Sequence, residues 1–189
     1  MALTDIEICS AALLKLGARA ITSFAEASTE ADVARTLYPV TRDGLLAAYP
    51  WSFTQAQTAL TAEPTPPAAD YAHAFALPGD CLRVLSAGTG TSGRGLDYRI
   101  QGRQLLADAN SLMLTYQRVV DEADMPPFFV TALIARLAAE LCIPVTESTS
   151  RAQGLHQLAA AEIRLARVLD AQQSTPRQVE DFTLIQVRG

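Results

Sequence analysis

The sequence predicts an α+β fold, a four-helix bundle with a small antiparallel β domain inserted into it and an extended C-terminal tail. Three observations carry this expectation. Apolar residues recur at helical spacing over about 4–50 and again over about 121–172, and between them the period changes to alternation broken by turn residues. A helix has a single apolar face to bury, so the helices on either side of the insertion must share one core. The expected units are therefore 1–50 with 121–172 as a discontinuous helical bundle, 51–120 as the β insertion and 173–189 as the tail.

Thr4-Asp5-Ile6-Glu7 reads as a capping box, with a hydroxyl for the first free N–H groups and a carboxylate three residues on to reach back. Ile6, Cys9, Leu13 and Leu16 then follow at helical spacing until Gly17 stops the run. Ser28 or Thr29 opens the second helix, and Glu30 and Asp32 in its first turn complement the helix dipole. Val33, Leu37, Val40 and Leu45 give it an apolar stripe. Pro39 lies inside that stripe and is expected to kink or split the helix near Tyr38, and Pro50 marks its end.

From Trp51 the reading changes. Trp51, Phe53 and Gln55 alternate with small polar residues, as in a strand, and 63–67 is a stiff proline loop. Residues 74–77 run into a Pro78-Gly79-Asp80 turn, 81–85 reads as a strand, and 88–95 as a flexible loop. A hairpin is expected over 96–106, turning at Gln101-Gly102, with a further strand over 112–116.

Helix returns with Asp124 as candidate cap and Pro126-Pro127 in the first turn, where the missing N–H groups have no partner to lose. Phe129, Leu133, Leu137 and Leu141 form the stripe, and Pro144 is expected to end it. The fourth helix, about 149–171, carries Leu155, Leu158, Leu165 and Leu169 with Glu162 in the middle. A carboxylate there implies either a buried partner or an exposed seam on an interface helix. Pro176 breaks the helix, and Val179, Phe182, Leu184, Ile185 and Val187 follow in a β-prone stretch with no local partner. Such a segment can gain by adding to another chain's sheet edge or lying in its groove. These five residues are therefore the candidate contacts to another chain, and Tyr49, Pro50 and Trp51 the candidate packing at the domain junction.

The composition is that of a globular chain, 49% hydrophobic and 19% charged over 189 residues. A chain of this size buries roughly 70% of its unfolded surface and needs no disulfide or metal to hold a core. The net charge of −5 argues against a dedicated nucleic-acid binder, which would carry a basic patch. Cys9, Cys81 and Cys142 are too far apart for a zinc site or a disulfide framework and read as buried free thiols. The first residues lack the basic and apolar regions of a signal peptide, and no run approaches about 18 uninterrupted apolar residues, so no membrane span is expected.

Gly88, Gly90 and Gly93 spell G-x-G-x-x-G, but a strand-like segment follows where a nucleotide fingerprint needs a helix. A hairpin loop accounts for them better. His73 and His156 stand without neighbours at metal-ligand spacing, and no serine lies in G-x-S-x-G. Asp121, Glu122 and Asp124 read as a loop and helix cap. No catalytic, cofactor-binding or metal-binding residue is expected.

Four stretches, taken in order, resemble the tail tubular protein A family, the head-to-tail adaptors of short-tailed phages. They are DIEICSAALLKLG at 5–17 with ITSF at 21–24; LYPVTRDGLL at 37–46 running on to YPW at 49–51; FALPGDCLRVL at 75–85; and ARLAAEL at 135–141 with Pro144 and Thr146. The resemblance implies a helical bundle with a β domain. It also implies a homo-oligomeric ring, usually dodecameric, between the portal and the tail nozzle or tail tube, with double-stranded DNA passing through without specific binding. It places the protein in the virion neck, assembled in the host cytoplasm, and it implies no catalytic residues or cofactor. The alternatives are a connector or stopper of a long-tailed phage or gene-transfer particle and, in another class, a soluble hydrolase or binding module.

Overall fold

The computed structural model describes residues 3–173. The five candidate tail contacts, Val179, Phe182, Leu184, Ile185 and Val187, lie outside those residues, as does nearly all of the expected tail. Among the described residues the fold is α+β, with four α-helices and two small antiparallel sheets.

Helix α1, Asp5–Lys15, begins at the capping box. Thr4 Oγ1 accepts from the Glu7 amide at 3.2 Å, and Glu7 accepts from the Thr4 amide at 2.7 Å. It ends in a Schellman motif. Gly17, at φ +68, donates to the Leu14 carbonyl and Ala18 to that of Leu13. Helix α2, Thr29–Ala47, is capped by Ser28, which accepts from the Ala31 amide at 3.2 Å.

Pro39 neither splits α2 nor ends it. The proline and Arg35, whose carbonyl loses its helical donor, are both exposed, so water can take the place of the missing bond. Tyr38, Leu45 and Leu46, on both sides of the proline, are buried in the same core and hold the helix together.

Helix α3, Pro127–Thr146, departs from expectation at both ends. Asp124 does not cap it; that residue closes a 3-10 turn, Glu122–Asp124, and Pro126 is the N-cap with no side-chain hydrogen bond. Pro126 and Pro127 carry no N–H, so fewer donors are left to satisfy. Pro144 does not stop the helix either. It is exposed, and the chain turns only at Glu147, at φ +56, whose amide donates to the Ile143 carbonyl. Ser148 then caps helix α4, Thr149–Ala171.

Helix α3 packs against α1, α2 and α4 around one core that includes Ile8, Leu13, Leu46, Trp51, Phe129 and Leu137. It is long and apolar enough by length and composition to cross a membrane, and ten of its residues are buried in this packing. All three cysteines are buried free thiols, and burial, with the charges of Asp5 and Glu122, pushes Cys9 up to about 12.

The β unit has its own core. The strands are β1, Gln55–Thr61; β2, His73–Ala76; β3, Cys81–Gly88; β4, Tyr98–Gln101; β5, Gln104–Ala107; and β6, Ser111–Arg118. One sheet has the order β1-β6-β3 and the other β2-β5-β4, with every pair antiparallel. Phe75, Leu105, Leu112 and Leu114 pack between them. Trp51 and Phe53 are not in a strand. The segment Ser52–Thr54 is a 3-10 turn, and pairing starts only at Gln55. Tertiary packing sets this: both rings meet Phe129 of α3 edge-on at 5.1 Å, and the Ser52 amide that opens the turn donates to the Asp170 carboxylate. The first and last strands pair with each other, Gln55 opposite Gln117, so the chain leaves and re-enters the helical unit at one place.

Candidate functional site

The G-x-G-x-x-G stretch spans the end of β3 and the loop that leads to β4. A Cβ on Gly88 would collide with the backbone of Ser92 and Arg94, and one on Gly93 would stand 2.5 Å from Thr115 Oγ1. Both glycines let the loop fold back onto β6, where the Gly93 carbonyl accepts from Ser86 and Thr115. No helix follows the loop to face a phosphate. His73 lies on β2 and His156 on α4. Among the described residues, no group of three or more His, Cys, Asp and Glu is placed to hold a metal ion.

Tyr49, Pro50 and Trp51 lie where the two cores meet. The Trp51 ring is fully buried, edge-on to Tyr49 at 4.9 Å and to Phe129 at 5.1 Å, and its Nε1 donates to the Leu45 carbonyl at 3.0 Å. The Pro50 carbonyl accepts from Gln55 at 2.9 Å. Two residues that the sequence does not single out complete the junction. Gln117, buried on β6, donates from Nε2 to the carbonyls of Leu46 and Tyr49 and to Thr54 Oγ1. Asp170, buried near the end of α4, accepts from the Ser52 amide at 3.1 and 3.0 Å and from its hydroxyl at 2.7 Å. A lone glutamine in an alternating strand and an aspartate near a helix end leave no sequence signal of these roles.

Glu122 ties the chain's return to α2, accepting from the Tyr38 hydroxyl at 2.7 Å and from Arg42 Nη1 at 3.0 Å. Burial pushes its carboxyl up, but the bonds from Tyr38, its own backbone and Arg42, with the Arg42 charge, outweigh that and hold it below the ordinary carboxylate range. A carboxylate with a lowered folded-state pKa adds stability above its unfolded value, near 4.3, and loses it as pH falls through the lower folded value. Glu122→Gln is therefore expected to cost about 1 kcal/mol near neutrality, a modest value for a partly buried pair that water still reaches. Thermal melts should show the gap to wild type closing as pH drops into that range. A gap that stays constant into strong acid would contradict this role.

The faces of α4 reverse the sequence expectation. Its buried seam is Ala152, Ala159 and Ala166, which recur every seven residues. Small side chains let the α4 axis approach α3 closely. Leu155 is half-buried against the core as expected, but the other three leucines of the stripe are turned outward. Leu158 is 63% exposed, Leu165 54% and Leu169 36%, with Glu162 among them. Glu162 thus sits in an open seam and has no buried partner to explain. A shallow pocket beside it is lined by Phe128, Thr131, Glu162, Leu165, Ala166 and Leu169. On the other flank, α2, α3 and α4 enclose a groove of about 470 Å³ that Leu37, Val40, Leu45, Ile163, Arg136 and Arg167 line. Val40, expected in the buried stripe of α2, is exposed at its rim.

No protein-family model matches the chain, and no curated protein is similar enough to it to count as a match.

Proposed function

We propose that the protein is a non-catalytic structural subunit of a phage particle, a head-to-tail adaptor that closes into a ring below the portal, seals the DNA channel and docks the tail. On this reading α1–α4 are the four-helix bundle of the adaptor, the β unit is its insertion, and residues 173–189 are the tail that reaches the portal or a neighbouring subunit.

The observation that carries the reading is the outward leucine seam of α4. Burying one leucine is worth about 1.5–3 kcal/mol, and this helix buries Ala152, Ala159 and Ala166 while leaving Leu158, Leu165 and Leu169 wet. A contiguous apolar stripe on the side of a helical unit is the mark of a surface that another molecule covers. The ordered resemblance in 5–146 supplies the kind of assembly, and a ring of like subunits supplies the cover. A closed ring needs two different complementary faces on each subunit, and the helical unit has an apolar seam on one flank and an apolar groove on the other.

Purified particles should contain the chain in a fixed multiple per portal ring, seen as a ring of density below the portal. Light scattering on the purified chain should show its mass rising to that multiple when the portal is added. Absence of the chain from particles, or its presence there as a monomer, would rule the reading out.

A further inference from the structure

We propose that the leucine seam of α4 in one copy seats in the α2–α4 groove of a second copy, with Glu162 of the first meeting Arg167 of the second. The inference rests on the ring reading and names the two faces that would build the ring.

Charge selects the occupant. Glu162 stands in the apolar seam, and among the described residues it forms no ion pair. Arg167 lines the groove, and among those residues no carboxylate lies within 4.0 Å of it. Its Nε is buried without a hydrogen-bond partner, and its guanidinium lies over the Tyr49 ring at 5.3 Å. The other groove cation, Arg136, is already held by Glu140 at 2.6 Å. The groove therefore offers one uncompensated positive charge on an apolar bed, and the seam one uncompensated negative charge among leucines. Arginine in a partly buried site gains most from a carboxylate that arrives with the water expelled.

Geometry selects the mode. Residues five apart on an α-helix stand about 140° apart around its axis. The seam and the groove thus flank the buried alanine face of α4 on opposite sides. A two-fold pairing of seam on seam would bring two Glu162 carboxylates into one apolar interface, where each lacks a counter-charge. Seam into groove pairs every charge and repeats from copy to copy, which is the heterologous contact that closes into a ring or runs on as a filament.

Charge reversal tests this on the full chain, with sedimentation velocity from low micromolar to millimolar concentration as the readout. Wild type should self-associate. Glu162→Arg and Arg167→Glu should each weaken association by about tenfold or more. The double variant should recover it, and so should an equimolar mixture of the two single variants, since alternating copies again oppose unlike charges. Arg167 stacks on Tyr49, so its reversal could unfold the chain. Val40→Glu, at a position 72% exposed on the groove rim, avoids that risk and should likewise weaken association, by setting a second carboxylate against Glu162. Single variants that associate like wild type, or a mixture that shows no rescue, overturn this contact and leave the ring reading standing. A wild-type chain that stays monomeric throughout also overturns it, and the ring reading is then decided by the particle composition alone.

Discussion

Replacing Trp51 with alanine should destabilise the protein by about 3–5 kcal/mol, the range for removing a large aromatic from a packed core. In a chain of this size that lowers Tm by about 6–20 °C. The side chain is fully buried and touches three aromatic rings, those of Tyr49, Phe53 and Phe129. Its Nε1 bond to the Leu45 carbonyl fixes the last turn of α2 against the first residues of the β unit. Trp51→Phe keeps most of the apolar volume and loses that bond, so it should cost about 1–2 kcal/mol. Calorimetry on the two variants separates packing from hydrogen bonding. Equal losses would mean that the indole N–H dominates, and a loss below about 1 kcal/mol in the alanine variant would mean that the junction repacks.

Asp170→Ala should cost about 2–3 kcal/mol, because it removes a buried carboxylate that accepts from both the amide and the hydroxyl of Ser52. Those bonds cap the 3-10 turn Ser52–Thr54 from the far end of α4 and join segments 118 residues apart in sequence. Asp170→Asn keeps an acceptor and gives up the charge, and should fall about halfway. Hydrogen exchange gives an independent reading: the amides of 51–54 should lose protection in Asp170→Ala while those of α1 stay close to wild type. Uniform loss across the chain would show that Asp170 supports the whole fold and has no special hold on the junction.

The two variants bear on assembly as well as stability. Trp51, Gln117 and Asp170 together fix how the β unit meets the helices, and Arg167, one turn of α4 before Asp170, stacks on Tyr49 of the same junction. In the proposed ring the seam and groove set the spacing between copies, and this junction sets where each β unit points relative to that contact. A loosened junction should therefore blur the β layer of the ring and, through Tyr49 and Leu45, also weaken the groove that holds Arg167.

The sequence by itself determined the local structure. The Thr4–Glu7 capping box, the Gly17 stop, a cap at Ser28 or Thr29 and the span of α4 were all legible, because each depends on groups within a few residues of one another. The switch of period near Trp51 and back near Asp124 was legible for the same reason, though the first strand starts only at Gln55. Tertiary structure decided what local rules could not. Pro39 does not split α2 and Pro144 does not end α3, since each lies on an exposed side where water can take up a freed carbonyl while the opposite face is held in the core. The faces of α4 are the sharpest case. Hydrophobicity ranks its leucines above its alanines, but packing on α3 favours small side chains on the facing side, so Ala152, Ala159 and Ala166 are buried while Leu158, Leu165 and Leu169 are left to the surface. The candidate site was hidden for that reason. Glu162 stood out as a carboxylate in a leucine stripe, but its opposite number, Arg167, and the groove around it are assembled from three helices, and no reading of one helix at a time can show a shape that exists only between them.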